Sequence, residues 1–121
     1  MTQDFRKLEV WKLAHQFTLD IYRLTANFPK DEKYGMTQQF RRAAYSISSN
    51  IAEGAGRQTN KDFARALYFG FGSVKEVENF LLLAKDLNYI DVCNYNTFNQ
   101  QLESIGKMLN KFIQRLEQTS K

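Results

Sequence analysis

The sequence predicts an all-α protein, an antiparallel up-down-up-down four-helix bundle. Three observations carry that expectation. Four segments repeat apolar residues at alternating spacings of four and three, which keeps them on one side of a helix. No segment alternates with period two between turn residues, so no strand competes. Three connections of roughly three to eight residues make successive helices antiparallel neighbours. A chain of 121 residues suits one domain, 1–121, because two cores would be hard to fit.

Helix one is expected over 8–28, with Val10, Ala14, Phe17, Ile21, Leu24 and Phe28 on its core side. Pro29 ends it, since the ring bars the preceding residue from helical geometry. Residues 30–35 form a polar connection. Helix two runs from about Met36 to Glu53, with Phe40, Ala44, Ile47 and Ile51 inward. Ser46, Ser48, Ser49 and Asn50 are short enough to let a neighbouring backbone come close. Gly54-Ala55-Gly56 supplies the stop, because glycine tolerates a left-handed turn after a helix.

Helix three begins at the N-cap Thr59, with Asp62 suited to the helix dipole, and continues to about Asn88. Phe63, Leu67, Val74, Leu81 and Asn88 form one stripe, with Gly70 where helices touch. A second stripe of Phe69, Phe80, Leu83 and Leu87 is placed about half a turn away, and a monomer cannot cover both. Helix four follows the cap Asp91 and reaches about Gln118, through Phe98, Leu102, Ile105, Leu109, Phe112 and Leu116. Lys107, Lys111 and Arg115 fall on its opposite, solvated face.

Composition narrows the function classes. Hydrophobic residues make up 43% and charged residues 25%, which excludes disorder and collagen-like repeats. Ten Phe, six Tyr and one Trp can fill a core without a disulfide, and Cys93 has no intrachain partner. The polar start, Met1 to Lys7, has no apolar stretch of a signal peptide behind it. The apolar runs 66–74 and 80–84 fall short of the roughly 20 residues that span a bilayer. The expectation is a cytoplasmic protein with no membrane contact.

Catalytic chemistry finds little to stand on. His15 is the only histidine, so mechanisms built on two are excluded; it reads as a packed or interface residue. The core stripes hold no acids and no Glu-x-x-His pairs, so no di-metal site is expected. Gly70-Phe71-Gly72-Ser73 lacks the strand and third glycine of a dinucleotide loop and reads as close helix packing. Neither catalytic residues, metal nor cofactor are expected.

Charge placement says more. The net charge is +4, yet between 41 and 65 the cations Arg41, Arg42, Arg57, Lys61 and Arg65 meet only Glu53 and Asp62. Gly54 to Arg57 precedes a helix N-terminus, where backbone N–H groups can face an anion; the alternative is a plain turn. Arg41 is expected to pair with Glu76 or Glu78 of a neighbouring helix, and Glu53 to partner an arginine at a helix end.

The stretch from Arg41 to Arg57, RRAAYSISSNIAEGAGR, resembles the signature of the four-helix bundle proteins named after reading frames in intervening sequences of bacterial 23S rRNA genes. Phe5, Leu8, Val10-Trp11, Ala14, Phe28-Pro29, Tyr34-Gly35, Gly72-Ser73, Glu76 and the run Ile105 to Asn110 extend the match along the chain. The resemblance implies a ring-like homopentamer. It also implies kinship with the accessory variability determinants of diversity-generating retroelements, which bind nucleic acid and a reverse transcriptase. Catalytic residues are not implied. Ser48 departs from the pattern, standing where relatives often carry proline, and so puts a kink in helix two in question.

The functional expectation is a non-enzymatic oligomer that binds structured RNA or DNA through Arg41, Arg42, Arg57, Lys61 and Arg65, clustered at the end of helix two. Its subunit interface is expected at Phe69, Phe80, Leu83, Leu87 and Trp11. The alternative is a protein–protein adaptor without nucleic-acid binding, whose partner is a reverse transcriptase or another protein.

Overall fold

The computed structural model describes residues 3–119; Met1, Thr2 and the last two residues of the expected 1–121 domain lie outside them. Four helices form: α1 Glu9–Thr25, α2 Met36–Ala55, α3 Asn60–Asp86 and α4 Val92–Thr119, with 3-10 turns at Phe5–Lys7 and Lys30–Glu32. No strand occurs among the described residues. Each helix packs on its sequence neighbours, and α1 closes the square against α4, while the diagonal pairs do not meet. This is the antiparallel four-helix bundle that the periodicity requires.

The core is one continuous cluster. Ala14, Ile21, Phe40, Ala44, Ile47, Ile51, Leu67, Leu81, Leu102 and Leu109 are fully buried, drawn from all four helices. Each leucine or isoleucine of this kind contributes about 1.5–3 kcal/mol relative to exposure. Phe28 and Phe40 lie 6.1 Å apart, and Phe63 meets Phe112 edge-on at 5.0 Å.

The helix ends differ from expectation in three places. α1 stops at Thr25 rather than Phe28: Ala26 N still donates to the Tyr22 carbonyl, but Asn27 N and Phe28 N turn back by three residues, to Leu24 O and Thr25 O. Phe28 is nevertheless buried, beyond the helix. α2 runs through Gly54 to Ala55, and its cap Gly56 is right-handed at φ −86°, so the expected left-handed stop is absent. Gly54 is instead a contact residue. A Cβ there would stand 2.8 Å from Phe63 Cδ1, so the Phe63 side chain of α3 packs directly on α2 at this glycine. The left-handed turn falls at Asn88, φ 63°, where Asn88 N donates to Lys85 O and Tyr89 N to Ala84 O. Those two bonds close the end of α3, and asparagine is among the side chains that tolerate the conformation.

Other expectations hold. Thr59 caps α3 by accepting from Asp62 N at 3.1 Å, and Asp91 accepts from Asn94 N at 2.7 Å. Ser48 leaves α2 unbroken, its hydroxyl donating to Tyr45 O. Gly70 sits over Asn50 and the Ile47 carbonyl, while Ser73 donates to Ser46 across the same seam at 3.0 Å. Gly72, expected in the same close packing, is the exception: it faces open space.

Candidate nucleic-acid interface

The five cations do not form one cluster. Arg41 and Arg42 lie on the second turn of α2, and Arg57 follows its far end. At 1.5 Å per residue that separation is about 20 Å. Sequence adjacency concealed a rod between them.

At the far end, Arg57 pairs with Glu53 one turn back, the partner expected for that acid. Lys61 and Arg65 stand one turn apart on the first turns of α3, both exposed. The Arg65 guanidinium lies 6.0 Å over the Phe69 ring. Arg57 and Arg65 share an open cleft of about 410 Å³ with Asn50, Glu53, Asp62 and Phe69. Two acids balance two cations inside the cleft, and the exposed Lys61 precedes Asp62 in the first turn of α3.

At the near end, Arg41 makes no ion pair with Glu76 or Glu78. Its Nε donates to Thr25 Oγ1 at 2.8 Å and its Nη2 to the Tyr22 carbonyl at 3.1 Å, with the guanidinium 4.6 Å over the Tyr22 ring. The C-terminal carbonyls of α1 carry the negative end of the helix dipole, which favours a cation there. Arg41 is therefore a structural clamp. Arg42 is exposed and has no ion pair among the described residues. It opens onto a second cleft, of about 400 Å³, beside Lys33, Tyr22, Tyr34 and Tyr45. Lys33 and the three tyrosines were missed in the sequence. The signal was present: Tyr34 is an aromatic in a polar connection, and Arg41-Arg42 precede Tyr45 by one turn.

The expected interface residues divide. Phe69, Leu83 and Leu87 are exposed, at 60%, 42% and 45%. Phe80 is half-buried and stacks on Phe40 at 5.5 Å. The second stripe flanks the core rather than opposing it, and a side chain this long folds back onto α2. Trp11 is half-buried between Phe5, at 5.0 Å, and the exposed His15, stacked at 4.7 Å. Lys107, Lys111 and Arg115 are exposed, as a solvated face requires. No group of three or more His, Cys, Asp or Glu side chains among the described residues could hold a metal ion, and none of their helices is long and apolar enough to cross a membrane.

A short-looped antiparallel bundle with exposed cations on α2 and α3 and an exposed apolar stripe on α3 defines a class of small helical proteins rather than an individual. Residues 6–111 match the family model of the 23S rRNA-intervening sequence protein, and the chain belongs to that family. Among solved structures it is similar to a protein of unknown function from the S23 ribosomal protein family of Bacteroides thetaiotaomicron. The two are 27% identical with a TM-score of 0.77, over 86% of this chain and 97% of that one. No curated protein matches the chain.

Proposed function

We propose that this chain is a non-enzymatic, self-associating bundle that holds structured nucleic acid by its phosphates, at Arg57, Lys61 and Arg65. One observation carries the reading. Lys61 and Arg65 are exposed, one turn apart, without ion pairs among the described residues, and Arg57 stands beside them on the turn. Cations placed at a helix start are suited to phosphate contact, which positions nucleic acid without reading its bases. The exposed Phe69, Leu83 and Leu87 support self-association, since an apolar face of this kind is commonly covered by a partner. A closed ring would repeat the cations around its axis and strengthen a weak single site. Five subunits and a reverse transcriptase partner belong to the same reading through the family resemblance, and a cytoplasmic setting through the polar start and short apolar runs of the sequence.

The test is a titration with a structured RNA at two salt concentrations, on the wild type and on Arg57→Ala/Lys61→Ala/Arg65→Ala. Phosphate contacts release counterions, so affinity should fall steeply with salt, and the variant's log–log slope should be shallower by about one for each cation removed. Unchanged binding in the variant would reject this site. The adaptor reading is favoured by the same apolar stripe, and absence of RNA binding at low salt would select it.

A further inference from the structure

The second cleft differs in chemistry from the phosphate site and lies about 20 Å from it along α2. Three cations line it, Lys33, Arg41 and Arg42, and no carboxylate does. Three tyrosines line it too. Tyr34 is 79% exposed, Tyr22 40% and Tyr45 44%, and none of their hydroxyls makes a hydrogen bond among the described residues. The remaining tyrosines that face carboxylates are engaged: Tyr68 donates to Glu117 and Tyr89 to Glu32.

Cations already lie on two of these rings, Arg41 at 4.6 Å from the Tyr22 centroid and Lys33 at 5.3 Å from that of Tyr34. Arg41 is held there by Thr25 and the Tyr22 carbonyl, so its guanidinium plane is fixed before any ligand arrives. Arg42, without an ion pair among the described residues, keeps its charge for a ligand. The volume of about 400 Å³ is in the range of clefts that take small organic groups.

We propose that this cleft binds an unpaired stretch of nucleic acid, its bases stacked on Tyr34 and Tyr45 and its phosphates against Lys33 and Arg42. Every base has a π-face, and a groove combining aromatic platforms with cations takes single strands with little sequence preference. An acidic peptide would match the charge but would leave the exposed rings of Tyr34 and Tyr45 without a role. The inference rests on the proposed nucleic-acid function and adds a second, single-strand mode to it. A structured RNA with an unpaired segment would then be held at both ends of α2, duplex phosphates at one and free bases at the other.

The test uses fluorescence anisotropy with a labelled uridine 12-mer, a duplex of equal length and an acidic peptide, on the oligomeric full chain. Tyr34→Ala/Tyr45→Ala should weaken 12-mer binding by about tenfold or more and leave duplex binding unchanged. Tyr34→Phe/Tyr45→Phe should bind like the wild type, because stacking needs the ring and not the hydroxyl. The triple variant at Arg57, Lys61 and Arg65 should keep most of its 12-mer affinity. Equal loss in the Ala and Phe variants would overturn the stacking mode, as would unchanged binding in both. Displacement of the 12-mer by the peptide at equal charge would assign the cleft to protein ligands instead. Duplex binding without 12-mer binding overturns this proposal alone; binding of neither overturns the proposed function as well.

Discussion

Gly54 and Phe63 meet across a gap that only hydrogen fits: a Cβ on residue 54 would stand 2.8 Å from Phe63 Cδ1, and 3.0 Å from the Ala66 Cβ. Phe63 is 2% exposed and packs edge-on against Phe112, so its ring has little room to turn away. Gly54→Ala gains about 1 kcal/mol of helix propensity but meets an overpacking cost of about 1–3 kcal/mol. We predict a net loss of about 1 kcal/mol. Gly72→Ala is the control, since nothing lies within 4 Å of its added methyl, and should gain roughly 0.5–1 kcal/mol. Urea unfolding of both variants decides; a stabilised Gly54→Ala would mean that α2 and α3 are not in close contact there.

Arg41→Ala should destabilise the protein by about 1–3 kcal/mol, because it removes a charged donor from Thr25 Oγ1 and the Tyr22 carbonyl. Arg41→Lys should restore only part, as an ammonium lacks the planar fork that reaches both acceptors while stacking on Tyr22. Thermal unfolding measures it. Full recovery with lysine would show that charge alone holds the end of α1.

Two tyrosine–carboxylate hydrogen bonds join distant segments, Tyr68 to Glu117 at 3.0 Å and Tyr89 to Glu32 at 2.8 Å. Each bond needs the phenol proton, so the hydrogen bond first, and desolvation and the nearby negative charge after it, raise both phenol pKa values above 10.0. The stability they contribute is therefore complete below the ordinary phenol range and lost as pH rises through the raised values. Melting temperature should fall above pH ~10, and Tyr68→Phe/Tyr89→Phe should flatten that fall. An unchanged alkaline limb in the double variant would place the sensitivity elsewhere.

The exposed Phe69, Leu83 and Leu87 should set the oligomeric state. Light scattering of the wild type should return a multiple of 14.2 kDa, about five times that mass if the family resemblance extends to assembly. Leu83→Glu/Leu87→Glu should release monomers that stay helical, since neither residue is buried. A wild type of 14.2 kDa would remove the self-association from the reading altogether.

The helices were legible because burial on one side writes a 3.6-residue period into the sequence, and Ile47, Leu81 and Leu109 fall on it without exception. What escaped were events between helices. Whether a glycine ends a helix or admits a neighbour depends on what faces it, so Gly54 looked like a stop and Asn88 like one more helical residue. Arg41, sixteen residues further on, bonds to Thr25 at the last turn of α1, a contact that no local pattern announces. Both arginine groups of the candidate site were visible as residues, yet their separation is a length of α2 that charge counting ignores. The tyrosine cleft needed α1, the connection and α2 to be brought together before its members became neighbours.

The wall between α1 and α4 joins the first helix to the last, and it is the slimmest of the four, with open clefts along it at Leu8 and Phe112 and at Phe17 and Ile105. Its partners lie far apart in the chain, whereas α2 and α3 are joined by the four residues 56–59. Closing a longer loop costs more entropy, so the α2–α3 hairpin is the natural starting point of assembly and the α1–α4 wall its last act. Opening should retrace the order: amide hydrogens of α1 should exchange with solvent ahead of those of α2 and α3, and uniform protection would show instead that the square closes in a single step.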